Sequence, residues 1–278
     1  MSLLLQHHSK QLEAALNLDP GSARIEVQCL LQAVLQVNRA WLLSHPEQAL
    51  NDEHLSRYTA LFERRLNGEP IAYILGEREF YGLDFIVSTA TLIPRPETEL
   101  LVELALQRIP QHGEFRVLDL GTGSGAIALS IAHARPDAEV VAADASEAAL
   151  KVARENAQRL NTGNVRLLCS DWFSALHDEH FDLIVSNPPY IAANDAHLAQ
   201  GDLRFEPRTA LASGADGMDD IRRICAQAKA HLHPGGWLLF EHGHDQAEQV
   251  RALMQQSGFT GIFSARDLSG IERASGGS

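Results

Sequence analysis

Asn187-Pro188-Pro189-Tyr190 places an amide acceptor, two prolines and an aromatic ring in direct succession, immediately after the apolar run Phe181-Asp182-Leu183-Ile184-Val185-Ser186. Two adjacent prolines remove two backbone donors and fix two φ angles near −65°. The segment therefore cannot continue a central strand and forms a stiff turn at a strand's C-terminal end. Rigid carbonyls, an Asn oxygen and a ring face suit the gripping of a planar group that carries an NH2. Adenine's exocyclic amine and a glutamine side-chain amide both qualify. A plain Pro-rich turn satisfies the same residues.

A second constellation is Phe115-Arg116-Val117-Leu118-Asp119-Leu120, then Gly121-Thr122-Gly123-Ser124-Gly125, then Ala126-Ile127-Ala128-Leu129-Ser130-Ile131-Ala132. Strand, glycine loop and helix in this order form the nucleotide-binding arrangement of a doubly wound sheet. The next strand, Glu139-Val140-Val141-Ala142-Ala143, ends at Asp144. That carboxylate lies about 20 residues past the glycines, where a ribose diol is held. The loop also satisfies G-x-G-x-x-A with Ala126 last, so NAD is an alternative ligand. Asp119, two residues before Gly121, orders the loop or reaches a methionyl group, and hydride transfer has no use for Asn-Pro-Pro-Tyr. Both features favour S-adenosylmethionine.

Other candidates carry less. His231/His233 and His242/His244 are H-x-H pairs without a third ligand at suitable spacing, and read as solvated or helix-terminal residues. Ser124 lacks the G-x-S-x-G context of a hydrolase. Asp171 either accepts from an adenine amine or caps the following turn. Arg95 and Glu97 either border the substrate mouth or start a helix.

The elements that must position these groups follow from periodicity. Apolar residues recur at helical spacing over His8–Leu16, Ala23–Val37 and Asp52–Leu66. Asn51 or Asp52 caps the third of these helices, and Pro70 begins a new turn after Gly68. Residues 1–75 are expected to form a helical substrate-recognition domain, 76–95 a hairpin linker and 96–278 the catalytic domain. In the last, strands near 115–119, 139–143, 165–169, 181–186 and 235–241 alternate with helices near 125–134, 146–160 and 217–231. A helix near 246–257, a strand at Gly261–Ala265 and a weak strand near Ile271 follow, then the low-complexity tail Ser275-Gly276-Gly277-Ser278. The alternation predicts an α/β fold, a doubly wound mostly parallel sheet, with a small N-terminal helical domain. Asp119, Gly121, Asp144, Asp171 and Asn187 then converge on the rim at the strands' C-terminal ends.

A chain of 278 residues, 45% of them hydrophobic, accommodates both domains. Its apolar runs are too short for a membrane span, and the three cysteines, with no C-x-x-C pair, read as reduced, mostly buried thiols. A cytoplasmic location is expected. A net charge of −13 argues against broad binding to nucleic-acid phosphates. Only about −2 of it lies in residues 1–75, which hold 6 basic and 8 acidic residues.

With these residues in view, the chain resembles the HemK/PrmC family, the peptide-chain release factor glutamine methyltransferases. The resemblance rests on Leu92-Ile93-Pro94-Arg95-Pro96-Glu97-Thr98-Glu99, Val117-Leu118-Asp119-Leu120-Gly121-Thr122-Gly123-Ser124-Gly125, Ser170-Asp171-Trp172-Phe173, Asn187-Pro188-Pro189-Tyr190-Ile191 and Arg204-Phe205-Glu206-Pro207. It covers nearly the whole chain. It implies a class I, Rossmann-like methyltransferase using S-adenosylmethionine, with S-adenosylhomocysteine as product and no metal. The implied substrate is the glutamine of the Gly-Gly-Gln motif in class 1 release factors, with no membrane and no direct nucleic acid as partner. Asp119, Gly121, Thr122, Gly123, Ser124, Gly125, Asp144, Trp172 and Asn187 would bind the cofactor. Asn187, Pro188, Pro189 and Tyr190 would hold the glutamine, with Asn187, Pro188 and Tyr190 catalytic: two fixed acceptors for the amide N–H groups and a ring stacked on the amide plane. An adenine-amine methyltransferase acting on nucleic acid is the alternative. Arg266-Asp267-Leu268-Ser269-Gly270 matches the family, but Ile271-Glu272-Arg273-Ala274 departs from it, so the resemblance does not extend to the last strand.

Overall fold

The computed structural model describes residues 1–278 as two compact units: Met1–Gly76 with Ala199–Phe205, and Glu77–Leu198 with Glu206–Ser278.

The smaller unit is helical: α1 (Ser2–Leu16), α2 (Pro20–Leu35), α3 (Arg39–Ser44), α4 (Asp52–Leu66) and α5 (Ile71–Leu75). Side-chain caps define three of the starts, each filling an orphan N–H of the first turn. Asp19 accepts from Gly21 and Ser22 at 2.9 and 3.0 Å, with Pro20 as the first residue of α2. Asn38 takes the Trp41 N–H and Asn51 the His54 N–H, at 2.9 and 2.7 Å. Six-residue α3 is too short to show a stripe, so the sequence does not reveal it. Leu12, Leu30, Leu31, Tyr58 and Phe62 close the core. Arg65 is only 3% exposed and forks onto both Glu26 oxygens at 2.7 and 3.1 Å. It also donates to Asp202 at 3.1 Å and to the carbonyls of Gly68 and Glu69. Arg65 thus attaches the distant 199–205 segment to this unit, a connection with no local signal in the sequence.

The larger unit begins with an antiparallel hairpin, β1 (Glu77–Phe80) and β2 (Leu83–Ile86). Its main sheet contains β3 (Arg116–Leu120), β4 (Glu139–Asp144), β5 (Val165–Cys169), β6 (Phe181–Ser186), β7 (Leu232–Glu241), β8 (Phe263–Arg266) and β9 (Glu272–Gly277). Their order is β5-β4-β3-β6-β7-β9-β8, parallel throughout except for β9. α6 (Glu99–Leu106) and α7 (Ala126–Ala134) pack with the hairpin over one face; α9 (Asp219–Ala228) and α10 (Ala247–Gln256) cover the other. α8 (Glu147–Arg159) follows β4. Strand order reverses between β3 and β6, and a crevice at such a switch point is where open α/β sheets bind ligands. No helix is long and apolar enough to cross a membrane.

Three expectations are corrected. The Ser-Gly-Gly tail is no appendage: Ser275, Gly276 and Gly277 belong to β9, between β7 and β8. Its composition is steric, since a Cβ on Gly276 would lie 2.4 Å from Leu239 Cδ2 and 2.9 Å from the Phe263 ring. His242 is not solvated but fully buried, with Nε2 2.9 Å from Ser275 Oγ and Nδ1 2.9 Å from the Gly243 carbonyl. Of the cysteines only Cys225 is buried; Cys169, at the end of the outermost strand β5, is exposed.

Candidate active site

The glycine loop is built by backbone conformation. Gly121, Gly123 and Gly125 adopt φ of +74°, +56° and +85°. The Gly121 and Thr122 N–H groups both donate to the Ala143 carbonyl, at 2.8 and 3.0 Å, so the loop folds back over the end of β4. A Cβ on Gly125 would lie 2.8 Å from Leu129 Cδ1 and 3.4 Å from Ala153 Cβ. Gly125→Ala therefore combines a left-handed penalty with a clash, and should cost about 1–3 kcal/mol, read as a lower melting temperature. An unchanged melting temperature would show that the loop relaxes freely.

Asp119 lies beneath this loop, fully buried. Its Oδ2 accepts from Thr122 Oγ1 at 2.6 Å and from the Ala128 N–H in the first turn of α7 at 3.2 Å, whereas Oδ1 has no partner. Of its two expected roles, ordering the loop is the one the geometry displays; Asp119 does not line the cavity. Burial pushes its carboxyl up from 3.8 to about 7. A carboxyl whose folded pKa exceeds its unfolded value keeps a proton that the unfolded chain has released. Stability from this group is therefore full below about pH 4 and lost as pH rises to about 7. Asp119→Asn should flatten the fall in melting temperature between about pH 4 and about pH 7. An unchanged slope would assign that dependence to other groups.

The rim above encloses a cavity of about 650 Å³. Gly121, Thr122, Gly123, Ser124, Asp144 and Trp172 line one side. Asp144 Oδ2 accepts from the Gly123 N–H at 2.9 Å and Oδ1 from the Ser146 N–H at 2.8 Å, which fixes the carboxylate and leaves lone pairs on both oxygens. Burial moves its pKa upward. Trp172 occupies the left-handed region at φ +51°, and its indole donates to Asp220 Oδ1 at 3.1 Å. A Cβ on Gly121 would meet this ring at 3.4 Å, so only glycine gives the loop that approach without contact. Asp171 does not cap its turn with its side chain; it pairs with Arg223 at 2.8 Å on the cavity wall.

Asn187, Pro189, Thr98, Leu92, Pro94 and Pro207 line the opposite side. Arg95 forms a very short ion pair with the buried Glu206, whose other oxygen takes the Ile93 N–H. This pair locks the Ile-Pro-Arg-Pro segment to Glu206-Pro207. Asn187 Nδ2 donates to Thr98 Oγ1 at 3.2 Å. Gly125, Pro188 and Tyr190 are not on the wall. Pro188 is buried, and the Tyr190 phenol donates to Glu241 Oε1 at 3.1 Å while its carbonyl accepts from Gln246 Nε2 at 3.0 Å. The phenol of Tyr190 is thus anchored at its oxygen, because a largely buried hydroxyl needs a partner and Glu241 supplies it.

Sequence reasoning missed three residues. Asn156 of α8 is fully buried and bonds the Ser124 carbonyl at 2.8 Å and both backbone groups of Ile86, so it joins hairpin to glycine loop. Thr98 read only as part of a helix start. Glu241 ends the buried run of β7, where a carboxylate was a signal in itself. Burial pushes it up to about 7, against the pull of Thr98 and Tyr190. No three His, Cys, Asp or Glu side chains gather as a metal site.

A switch-point crevice that sets a fixed amide against a nucleotide-binding loop defines a Rossmann-like enzyme of the methyltransferase class. The Methyltransferase small domain family matches residues 97–206, and the PrmC N-terminal domain family matches residues 4–76. A release factor glutamine methyltransferase of Bordetella pertussis is 54% identical over 93% of this chain and 96% of its own. Its counterpart in Xylella fastidiosa (strain Temecula1) is 51% identical over 91% and 92%. A methyltransferase structure from Pyrococcus furiosus shares the fold at TM-score 0.54 and 20% identity, covering 77% of this chain and 95% of that one. This chain belongs to the release factor glutamine methyltransferase family.

Proposed function

We propose that this enzyme transfers a methyl group from S-adenosylmethionine to the side-chain amide nitrogen of the glutamine in the Gly-Gly-Gln motif of class 1 release factors. The observation that carries the reading is Asn187. Its Nδ2 is tied to Thr98, so its Oδ1 is the atom left to accept an N–H inside a cavity shared with the glycine loop.

The cavity side formed by Gly121, Thr122, Gly123, Ser124, Asp144 and Trp172 fits a nucleoside sulfonium. Asp144 offers fixed lone pairs to a ribose diol, and the bare Gly121 backbone allows close approach beside the Trp172 ring. The N-terminus of α7 favours a carboxylate. When bound, the sulfonium supplies an electrophilic methyl group.

The amide nitrogen is a poor nucleophile because its lone pair is delocalised into the carbonyl, the resonance behind the ~18–20 kcal/mol rotation barrier of peptide bonds. The residues must hold it roughly 3–3.5 Å from the methyl carbon, in line with the breaking bond. Asn187 Oδ1 accepts one N–H and favours the positive charge that develops on nitrogen. Pro188 and Pro189 keep that acceptor from moving. Pro188 and Tyr190 serve by rigidity and anchoring, since neither reaches the wall. Deprotonation follows methyl transfer and needs no strong base. The helical unit, residues 1–76 with 199–205, is the surface proposed to recognise the release factor.

The acidic net charge of −13 weighs against an adenine-amine reaction on nucleic acid, which needs a basic face. Labelled S-adenosylmethionine is offered with purified release factor, its Gly-Gly-Ala variant, DNA, tRNA and ribosomal RNA. Label on the Gly-Gly-Gln protein alone is expected; label on nucleic acid alone moves the assignment to adenine.

A further inference from the structure

A turn made of two prolines holds its own shape but not its own place. Pro188 and Pro189 have no N–H to donate, so no backbone donor inside the turn ties it to the rest of the molecule. The direction of Asn187 then depends on what grips the two ends. At the entry, Asn187 continues from β6, whose Ser186 hydroxyl donates to the Leu120 carbonyl at 2.7 Å. At the exit stands Tyr190, held at its phenol and at its carbonyl. The phenol donates to Glu241 Oε1 at 3.1 Å, and the carbonyl accepts from Gln246 Nε2 at 3.0 Å. Both partners come from the connection between β7 and α10, which contributes nothing to the cavity wall.

Glu241 is 2% exposed, its Oε2 has no partner, and the Tyr190 phenol is its one hydrogen-bond partner. A carboxyl group buried with so little compensation is costly to keep, and the use the structure makes of it is to hold Tyr190. Gln246 is 7% exposed, and its amide has a single workable orientation. Its Oε1 takes the Gly243 N–H at 2.8 Å, a group that can only donate, so Nε2 faces the Tyr190 carbonyl, which can only accept. Gly217 closes the third side. At φ +78° it brings bare backbone against the same carbonyl, and a Cβ there would overlap the Tyr190 oxygen and lie 2.8 Å from Gln246 Nε2.

We propose that Glu241 and Gln246 are positioning residues that clamp Tyr190 at its phenol and its carbonyl, and so set where the Asn187 side-chain oxygen stands in the cavity. This rests on the reading that Asn187 accepts the glutamine N–H. Two prolines link Asn187 to Tyr190, so a displacement at Tyr190 passes along a stiff lever to Asn187 instead of being absorbed between them.

The test measures methylation of release factor in single turnovers and at steady state, together with titration by S-adenosylhomocysteine. Glu241→Leu, Tyr190→Phe and Gln246→Met should each lower kcat by about 10- to 100-fold, the order of loss that a misplacement of about 1 Å brings, with product affinity unchanged. Glu241→Gln keeps an acceptor for the phenol and should retain most of kcat. A loss as deep as that of Glu241→Leu would show that charge, not anchoring, matters, and would overturn the proposal. Glu241→Leu combined with Tyr190→Phe should be no slower than the slower single variant, because both remove the same bond. In the Asn187→Ala enzyme, Glu241→Leu and Gln246→Met should lower kcat no further, because the group they position is gone. Losses that multiply in either cycle, or wild-type kcat in Tyr190→Phe or Gln246→Met, would overturn the proposal and leave the Asn187 reading intact. Tyr190→Phe removes one oxygen only and serves if Glu241→Leu does not fold. Full activity of Asn187→Ala would instead overturn the reading on which the clamp rests.

Discussion

Asn187→Ala should lose about 10²–10³-fold in kcat, the effect of deleting one preorganised electrostatic contact to a developing charge. The mechanism gives the loss its character. Asn187 Oδ1 gains strength as an acceptor as positive charge grows on the substrate nitrogen, so its removal affects the transition state more than the ground state. KM for the release factor should change much less than kcat. The glycine loop, Asp144 and Trp172 line the other side of the cavity and remain in place, so S-adenosylhomocysteine should still bind. Single-turnover methylation and calorimetric titration separate the two effects. Near-wild-type turnover with full product affinity would remove Asn187 from the chemistry.

Arg65→Met should destabilise the helical unit by about 3 kcal/mol, the low end of the cost of breaking a buried ion pair from one side. Arg65 is 3% exposed while Glu26 keeps 15% and Asp202 39% of their side-chain exposure, so water recovers part of the loss at the acids. The carbonyls of Gly68 and Glu69 lose a donor as well. Methionine fills much of the volume, which keeps cavity formation out of the measurement. Denaturant unfolding followed by Trp41 fluorescence reads this unit, because Trp41 is its sole tryptophan. A change below about 1 kcal/mol would class the network with surface ion pairs. A real loss should also release the 199–205 segment, whose Asp202 and Arg204 hold to this unit.

The sequence discloses most where one residue type has one physical use. Alternating apolar strands and helices gave the parallel sheet, and both the Pro-Pro turn and the glycine loop lie at the rim because neither can continue a strand. Asp144 was legible from spacing alone. Elements that depend on distant partners were not legible. β9 has the composition of a flexible tail, and only Leu239 and Phe263 across from Gly276 explain its small residues. The 199–205 segment joins the helical unit through Arg65, far from it in sequence. Tyr190 was assigned a role from its neighbours in the chain, whereas the structure directs it at Glu241, 51 residues away. Thr98 and Glu241 escaped notice for the same reason: their meaning lies in hydrogen bonds to Asn187 and to Tyr190, distant in sequence, and no local pattern encodes them.

Tandem mass spectrometry of a release factor methylated by the purified enzyme tests the central claim most directly. The account predicts one methyl increment confined to the glutamine of the Gly-Gly-Gln peptide, located on the side-chain nitrogen, and formed about 10²–10³-fold more slowly when Asn187→Ala replaces the wild-type enzyme. A methyl group on any other residue, or an unmodified glutamine under conditions where labelled methyl leaves the cofactor, would contradict it.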